Sequence, residues 1–304
     1  MNRPIKDLNY DMEQLEHLGA IPFTLKKDTL KGEEIVAWTT SPKFFEGGKS
    51  SKERVDYVFE NTKKVGIDEM AMPDQPAGGE VCHEITLEEI SEQYHNKRAV
   101  AEGTLWNVEK NYDSIFMTRE THYRALEDFG RSISLVFPAA DCAVIRMYDK
   151  KQDVIGITHS DISRTTRNVI GDMAKYMQEH FNSNLEDVVV FVGAFARDGM
   201  IWDKYPPYAE EHPEEWKDYI EQVDDTHYNV QYGDKIYDQL VAAGLQEDNL
   251  YFDKDNTITD STYFSNNRTR RFGDPDGRNL FGISFDALPI YESTENENTQ
   301  PRLH

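Results

Sequence analysis

Two residues able to bind a metal or attack a substrate, Cys142 and His159, lie at the ends of neighbouring predicted strands. If the two strands pair as a hairpin, the imidazole returns to the sheet edge where the thiol lies. Thiolate and neutral imidazole are preferred zinc ligands. The imidazole could instead deprotonate the thiol for nucleophilic attack. The spacing leaves both chemistries open, beside a third interpretation, an inert buried cysteine with an unrelated histidine.

The elements that would position this pair are predicted from apolar periodicity. Strands are predicted over residues 35–40, 132–137, 142–148, 154–158 and 188–192, and helices over 49–64, 87–97, 163–181 and 234–243. The strand, helix and strand between residues 154 and 192 indicate a crossover unit, whose strand ends favour a site.

Composition limits the function classes. The 304 residues include 33 Lys and Arg against 56 Asp and Glu, a net charge of −23. This charge repels polyanions, so we expect neither a nucleic acid ligand nor binding to an anionic membrane. The longest apolar stretch, residues 188–196, is far shorter than the roughly 20 residues that span a bilayer. The start of the chain has no secretory signal pattern, and two cysteines make no disulfide scaffold. We expect a soluble cytoplasmic protein.

The domain organisation follows from shifts in composition. We predict a polar lead-in over residues 1–30, a single domain over 31–291 and a disordered tail over 292–304. Residues 199–227 carry nine acids and are interpreted as a solvated surface insertion with one helix.

Four motifs in a fixed order resemble those of one family. They are Phe137-Pro-Ala-Ala-Asp-Cys, Ile157-Thr-His-Ser-Asp, Tyr263-Phe-Ser-Asn-Asn-Arg and Asp276-Gly-Arg. The chain resembles the laccase-domain (multicopper polyphenol oxidoreductase-like) family over roughly residues 35 to 285. The resemblance implies an α+β fold, a layered α/β/β/α sandwich of mixed sheets with crossover helices. It also implies a zinc site of His, Cys and His, and phosphorolysis or deamination of purine nucleosides.

The resemblance assigns the Cys ligand to Cys142 and the second His ligand to His159. The first His ligand of the family falls on Ala77, in Gln75-Pro-Ala-Gly, and alanine cannot ligate. His83, six residues further on, is a candidate substitute ligand if the register of its strand allows it. Gln75 remains a candidate substrate-binding residue.

Two further departures from the family pattern affect the site. Asp161 stands where the family has glycine, and either orients His159 as a catalytic residue or caps the helix that follows. Asn267 replaces the first arginine of a pair in the family motif.

A group of arginines contrasts with the acidic chain. Arg268, Arg270, Arg271 and Arg278 lie within 11 residues of one another, and the family match covers Arg268 and Arg278. Guanidinium groups bind phosphate in a bidentate manner, so we predict an anion site at these two residues. A solvated basic loop is the alternative.

Three functions are compatible with these residues. The first is a zinc-dependent purine nucleoside phosphorylase or deaminase, with a nucleoside and phosphate as its small-molecule partners. The second is a family member that has lost its site, and the third is a metal-free Cys-His hydrolase or deamidase, which needs a lowered thiol pKa.

Overall fold

A computed structural model of the chain describes residues 6–7, 20–24, 35–40, 69–73, 80–96, 104–108 and 112–285. The strands are β1 (Lys6–Asp7), β2 (Ala20–Thr24), β3 (Ile35–Thr40), β4 (Glu69–Pro73), β5 (Glu80–Glu84), β6 (Thr104–Val108), β7 (Tyr112–Thr118), β8 (Ile133–Ala139), β9 (Ala143–Asp149), β10 (Val154–Ser160), β11 (Val188–Val192), β12 (Met200–Trp202), β13 (Ile220–Gln222), β14 (Tyr228–Val230), β15 (Leu250–Phe252) and β16 (Asn279–Phe285). The α-helices are α1 (Leu87–Asn96), α2 (Arg119–Phe129), α3 (Ile162–Thr166), α4 (Val169–Phe181), α5 (Pro207–Glu211), α6 (Pro213–Trp216), α7 (Tyr232–Ala242) and α8 (Asn266–Phe272).

Two large mixed sheets organise these strands. One has the order β1-β15-β11-β9-β10-β7-β5 and the other the order β2-β3-β16-β8-β4-β6. The two sheets share one apolar core, to which β8 and β16 contribute Phe137 and Phe281, and β7 and β10 contribute Ile115 and Ile157. The opposite face of the seven-stranded sheet packs against α4 and α7. The architecture confirms the predicted α+β class.

The predicted hairpin and crossover are both present. Strands β9 and β10 pair antiparallel, with His159 opposite Val144 and Ser160 opposite Ala143. Strand β11 pairs antiparallel with the other edge of β9, so β10 and β11 run parallel with α4 in the connection between them. The carboxyl end of β10 therefore meets the amino end of β9 at one edge, where the site residues lie.

The helix predicted over residues 163–181 is two helices in the structure. Helix α3 begins after its N-cap, Asp161, and α4 begins after Asn168, which takes a left-handed conformation with φ of 62°. Asparagine tolerates this conformation better than most residues, so the chain changes direction there. The prediction missed the break because the apolar spacing continues across it.

The acidic insertion has more structure than the predicted single helix. Strands β12, β14 and β13 form a small antiparallel sheet, and α5 and α6 lie in the connection between β12 and β13. All nine acids of the segment are exposed, as the interpretation of a solvated surface expects, but Trp216 at the end of α6 is fully buried. The insertion is therefore anchored to the domain by an apolar side chain.

Several predicted segments lie outside the described residues. They include the helix over 49–64, the tail over 292–304 and most of the lead-in over 1–30, so the domain boundaries stay predictions. Within the described residues, no helix combines the length and apolar character needed to cross a bilayer.

Candidate functional site

The structure brings Cys142 and His159 together on one face of the seven-stranded sheet. His159 is opposite Val144, and Cys142, directly before the first residue of β9, lies two residues before Val144, so the two positions are diagonal to each other at the end of the strand pair. Their face is turned toward the second sheet, where Phe137 stacks on His159 with ring centroids 6.3 Å apart. The sequence prediction that the hairpin joins the two residues agrees with this register.

The turn that presents Cys142 is held by Asp141. Asp141 adopts a φ of 80°, in the left-handed region. Its two carboxylate oxygens accept hydrogen bonds from Thr257 Oγ1 at 2.7 Å and from the backbone N–H of Asn267 at 2.6 Å. These bonds tie the start of β9 to the start of α8, so the position of Cys142 depends on contacts distant in sequence.

His159 is a buried neutral imidazole. Its side chain is 7% exposed, and neither ring nitrogen has a hydrogen-bond partner within the described part of the chain. Burial lowers the pKa of His159 to about 4, with nearby Asp161 opposing the shift and Arg164 adding to it. Both nitrogens are thus uncharged at neutral pH, and one of them is a free acceptor or metal ligand.

Cys142 is half-buried, and its surroundings favour the protonated thiol. Burial of the sulfur raises the pKa of Cys142 to about 12, and the carboxylates of Asp161 and Asp141 add to the rise. Arg278 opposes this shift. Binding of a metal cation to the sulfur would release this proton and give a thiolate ligand.

A buried ion-pair network lies beside the pair. Asp113 lies on β7, one residue before Ser114, which is paired with Thr158 of β10. It accepts a 2.6 Å hydrogen bond from Arg164 Nε, and the side chains of Asp113 and Arg164 are only 2% and 4% exposed. Arg164 also donates to Asp161, while Arg167 lies 3.1 Å from the second oxygen of Asp113. The sequence analysis proposed Asp161 as a site residue but not Asp113 or Arg164. Asp113 comes close to Arg164 only because β7 pairs with β10.

Asp161 also caps α3, the alternative that the sequence left open. Its side chain accepts a 2.7 Å hydrogen bond from the backbone N–H of Arg164. Both carboxylate oxygens are thus bound to Arg164, through its backbone and its guanidinium. Asp161 acts on Cys142 and His159 through its charge, since neither residue shares a hydrogen bond with it here.

The two predicted anion-binding arginines have different surroundings. Arg268 donates to the carboxylate of Asp274 and to the backbone oxygens of Thr257, Asp260 and Tyr263. These bonds use four of the five N–H groups of a guanidinium, so Arg268 has a structural role in the loop that it closes. The sequence analysis did not anticipate these contacts, and anion binding by Arg268 stays a prediction.

Arg278 is available to a ligand. Its side chain is 52% exposed, and one of its nitrogens donates to Asp276 and to the backbone oxygen of Gly277. Its charge lowers the pKa of both Cys142 and His159, so it lies close to the pair. Arg270 and Arg271 lie instead beside the rings of Trp202 and Phe272.

His83 is not brought to the pair. Strand β7 lies between the strand of His83 and that of His159. The imidazole of His83 contacts Glu89 at 2.8 Å and stacks on Tyr112 with centroids 4.2 Å apart. Among the described residues, no three His, Cys, Asp or Glu side chains group to hold a metal ion. Gln75 and Ala77 lie outside the described residues.

Comparison with known proteins assigns the chain to a protein family. Residues 51–285 match the family described as multi-copper polyphenol oxidoreductase laccase, and the chain belongs to this family. The resemblance stated from the motifs is thereby confirmed.

Solved structures of low sequence identity share the fold. The hypothetical protein YfiH of Bacillus licheniformis is 16% identical, with a TM-score of 0.63 over 89% of this chain and 98% of that chain. YlmD of Geobacillus stearothermophilus is 15% identical, with a TM-score of 0.64 over 88% of this chain and 96% of that chain. No curated protein is significantly similar to the chain in sequence.

Proposed function

We propose that the chain is an enzyme that acts on purine nucleosides, by phosphorolysis or deamination, at the site formed by Cys142 and His159. The observation that carries the proposal is the buried imidazole of His159, uncharged and without a hydrogen-bond partner in the described residues, next to the thiol of Cys142. Family membership supports the substrate class, through the activity that the resemblance implies.

The donors of the pair fit zinc in kind but are few. Zinc accepts a thiolate and a neutral imidazole, and catalytic zinc sites normally have three protein ligands. Cys142 and His159 would supply two, and Ala77 has no donor to offer. When bound, zinc lowers the pKa of a coordinated water toward about 7. In this proposal His159 stays neutral, Cys142 gives up its proton as the metal binds, and Arg278 holds the anionic co-substrate.

The metal-free hydrolase is less well supported. A thiol nucleophile needs a lowered pKa, and here burial raises the pKa of Cys142 to about 12. The base would be His159, whose pKa is lowered to about 4, and such an imidazole is a poor proton acceptor at neutral pH. The loss of the first His ligand at position 77 supports the remaining alternative, a member without activity.

Zinc content and nucleoside turnover test the proposal together. Cys142→Ala and His159→Ala should each weaken zinc binding by more than the roughly 100-fold that loss of an outer contact can cost, because each removes a ligand. Both variants should also lose purine release from adenosine and inosine in phosphate buffer, and ammonia release from adenosine. Elemental analysis and chromatography of the products provide the measurements.

The chain supplies matched controls in Cys82 and His83, which are adjacent and partly buried. Cys82→Ala and His83→Ala should keep the zinc content and turnover of the parent protein. If these controls lost as much zinc and turnover as Cys142→Ala and His159→Ala, the assignment of the site to Cys142 and His159 would be contradicted. If the parent protein itself contains no zinc and turns over no nucleoside, the result would instead support the alternative of a family member that has lost its site.

Arg278 and Arg268 should differ when each is changed to alanine. Arg278→Ala should weaken phosphate binding several-fold with little change in the thermal midpoint, since its contacts are exposed. Arg268→Ala should lower the midpoint by several degrees, because it leaves three buried or half-buried carbonyls and Asp274 without their donor. Thermal scans with phosphate, against chloride of equal ionic strength, measure both. If phosphate fails to stabilise the parent protein, no anion site exists at Arg278.

A further inference from the structure

We propose that Trp216 of the acidic insertion is a positioning residue, which holds α3 in place next to Cys142 and His159 through a hydrogen bond to Thr166. The inference rests on the site of the proposed function, but not on its substrate or its metal. It assigns the insertion a part in the site rather than a surface role only.

The first evidence is a chain of hydrogen bonds from the insertion into α3. The indole N–H of Trp216 donates to Thr166 Oγ1 at 2.9 Å. The Thr166 hydroxyl in turn donates to the backbone oxygen of Ile162 at 2.7 Å. Trp216 is fully buried, so its N–H has no water to replace this partner. The chain of bonds ends at the first residue of α3, next to Asp161.

The second evidence is that α3 is held at its other side by α7. Gln239 Nε2 donates to the backbone oxygen of Thr165 at 2.7 Å, and the Tyr232 hydroxyl donates to the backbone oxygen of Ser160. Ser160 and Thr165 also share a hydrogen bond of 2.7 Å between their hydroxyls. Helix α3 has only five residues, too few to be stable alone, so these contacts determine where it lies.

The position of α3 matters because it fixes the charges at the site. Asp161 caps α3, and Arg164 within it joins Asp161 to Asp113. The chain leads from α3 through Asp161 directly back to Ser160, which is paired with Ala143 next to Cys142. A shift of α3 would therefore loosen this end of the strand pair and make the partly exposed Cys142 more accessible.

The insertion is built to hold Trp216 firmly. The ammonium of Lys235, on α7, lies 5.4 Å from the ring centre of Trp216 and 4.9 Å from that of Tyr219. The same ammonium donates to the backbone oxygen of Glu215 at 2.8 Å. At the other end of the insertion, the side chain of Asn267 donates to the backbone oxygen of Ile201 at 2.7 Å.

The alkylation rate of Cys142 tests the proposal. In full-length protein carrying Cys82→Ser, Cys142 is the only cysteine. With a chelator present throughout, Trp216→Phe should make iodoacetamide react with Cys142 about 2- to 10-fold faster at fixed pH, as expected when one hydrogen bond that limits local opening is lost. Thr166→Val, which removes the acceptor, should give a similar increase in rate. Thr166→Ser keeps the hydroxyl and should therefore react at the parent rate.

Trp202→Phe is the matched control, since it makes the same indole-to-phenyl change in the same insertion. The indole nitrogen of Trp202 has no hydrogen-bond partner within the described residues, so this variant should react at the parent rate. Combining Trp216→Phe with Thr166→Val should give no further increase, because both act on one bond.

An unchanged rate in Trp216→Phe, or an equal increase in Trp202→Phe, overturns the proposal. If Trp216→Phe does not fold, the two Thr166 variants decide it in the same way. Nucleoside turnover takes no part in this test, so failure of the proposed function leaves its result intact.

Discussion

Replacing Arg164 with methionine should destabilise the fold by about 3–5 kcal/mol, the cost of removing one partner from a buried ion pair. Arg164 and Asp113 are paired at 2.6 Å with side chains 4% and 2% exposed. Methionine keeps much of the apolar volume but leaves the carboxylate of Asp113 buried, with only the half-exposed Arg167 nearby. The free energy of unfolding in urea, measured at neutral pH, gives the loss directly.

The reason for the loss can be checked with a second substitution. Adding Asp113→Asn to Arg164→Met removes the uncompensated charge and should recover part of the stability, so the two effects should not add. Lys217→Met breaks an exposed pair with Glu214 and should leave the free energy of unfolding almost unchanged. Equal losses in Lys217→Met and Arg164→Met would mean that burial of the network has little energetic importance.

The contrast between α3 and the hairpin shows which parts of the fold were predictable from sequence. Strands β8 to β11 follow apolar runs whose residues are buried on both faces, and their existence could be read directly from composition. The break at Asn168 could not, because it depends on one residue in a left-handed conformation inside an unbroken apolar pattern. Local conformation of this kind carries almost no periodic signal.

The site shows the same division between local and distant contacts. Cys142 and His159 were predictable as neighbours because one hairpin joins them, and the family motifs mark both. Arg164 and Asp113 are 51 residues apart and meet only because β7 pairs with β10. The structural contacts of Arg268 were not predictable either, because its partners include Thr257 and Asp260 in a loop without periodicity.

The acidic insertion illustrates how composition conceals a contact. Nine exposed acids dominate residues 199–227, and they correctly indicate a solvated surface. A single buried tryptophan among them decides how the segment attaches, and its acceptor, Thr166, is 50 residues away. Composition averages over a segment, whereas attachment depends on individual residues.

Asp253→Asn should make the protein more stable than its parent at alkaline pH, by about 5–6 kcal/mol near pH 9. Asp253 directly follows β15 and is fully buried; one of its carboxylate oxygens accepts from the backbone N–H of Asp255, and the other has no hydrogen-bond partner in the described residues. Burial raises the pKa of Asp253 from 3.8 to about 8, and the charges of Asp255 and Asp260 add to the rise. Asparagine has the shape of the protonated carboxyl and never ionises.

The sign of the effect follows from proton uptake. Between about pH 4 and pH 8 the unfolded chain has released the proton of Asp253 while the folded chain retains it, so the stability of the parent falls as pH rises through this window. The gap between variant and parent, which is the difference in their free energies of unfolding, should therefore be small near pH 4, widen up to pH 8 and stay constant above pH 8. Urea unfolding at pH 5, 7 and 9 measures the gap.

Asp225→Asn is the control, because it removes an exposed charge from the same acidic chain and so corrects for general charge repulsion. The difference in free energy of unfolding between Asp225→Asn and the parent should be small at every pH. A gap for Asp253→Asn that is equally flat would show that the folded protein ionises Asp253 as readily as the unfolded chain does.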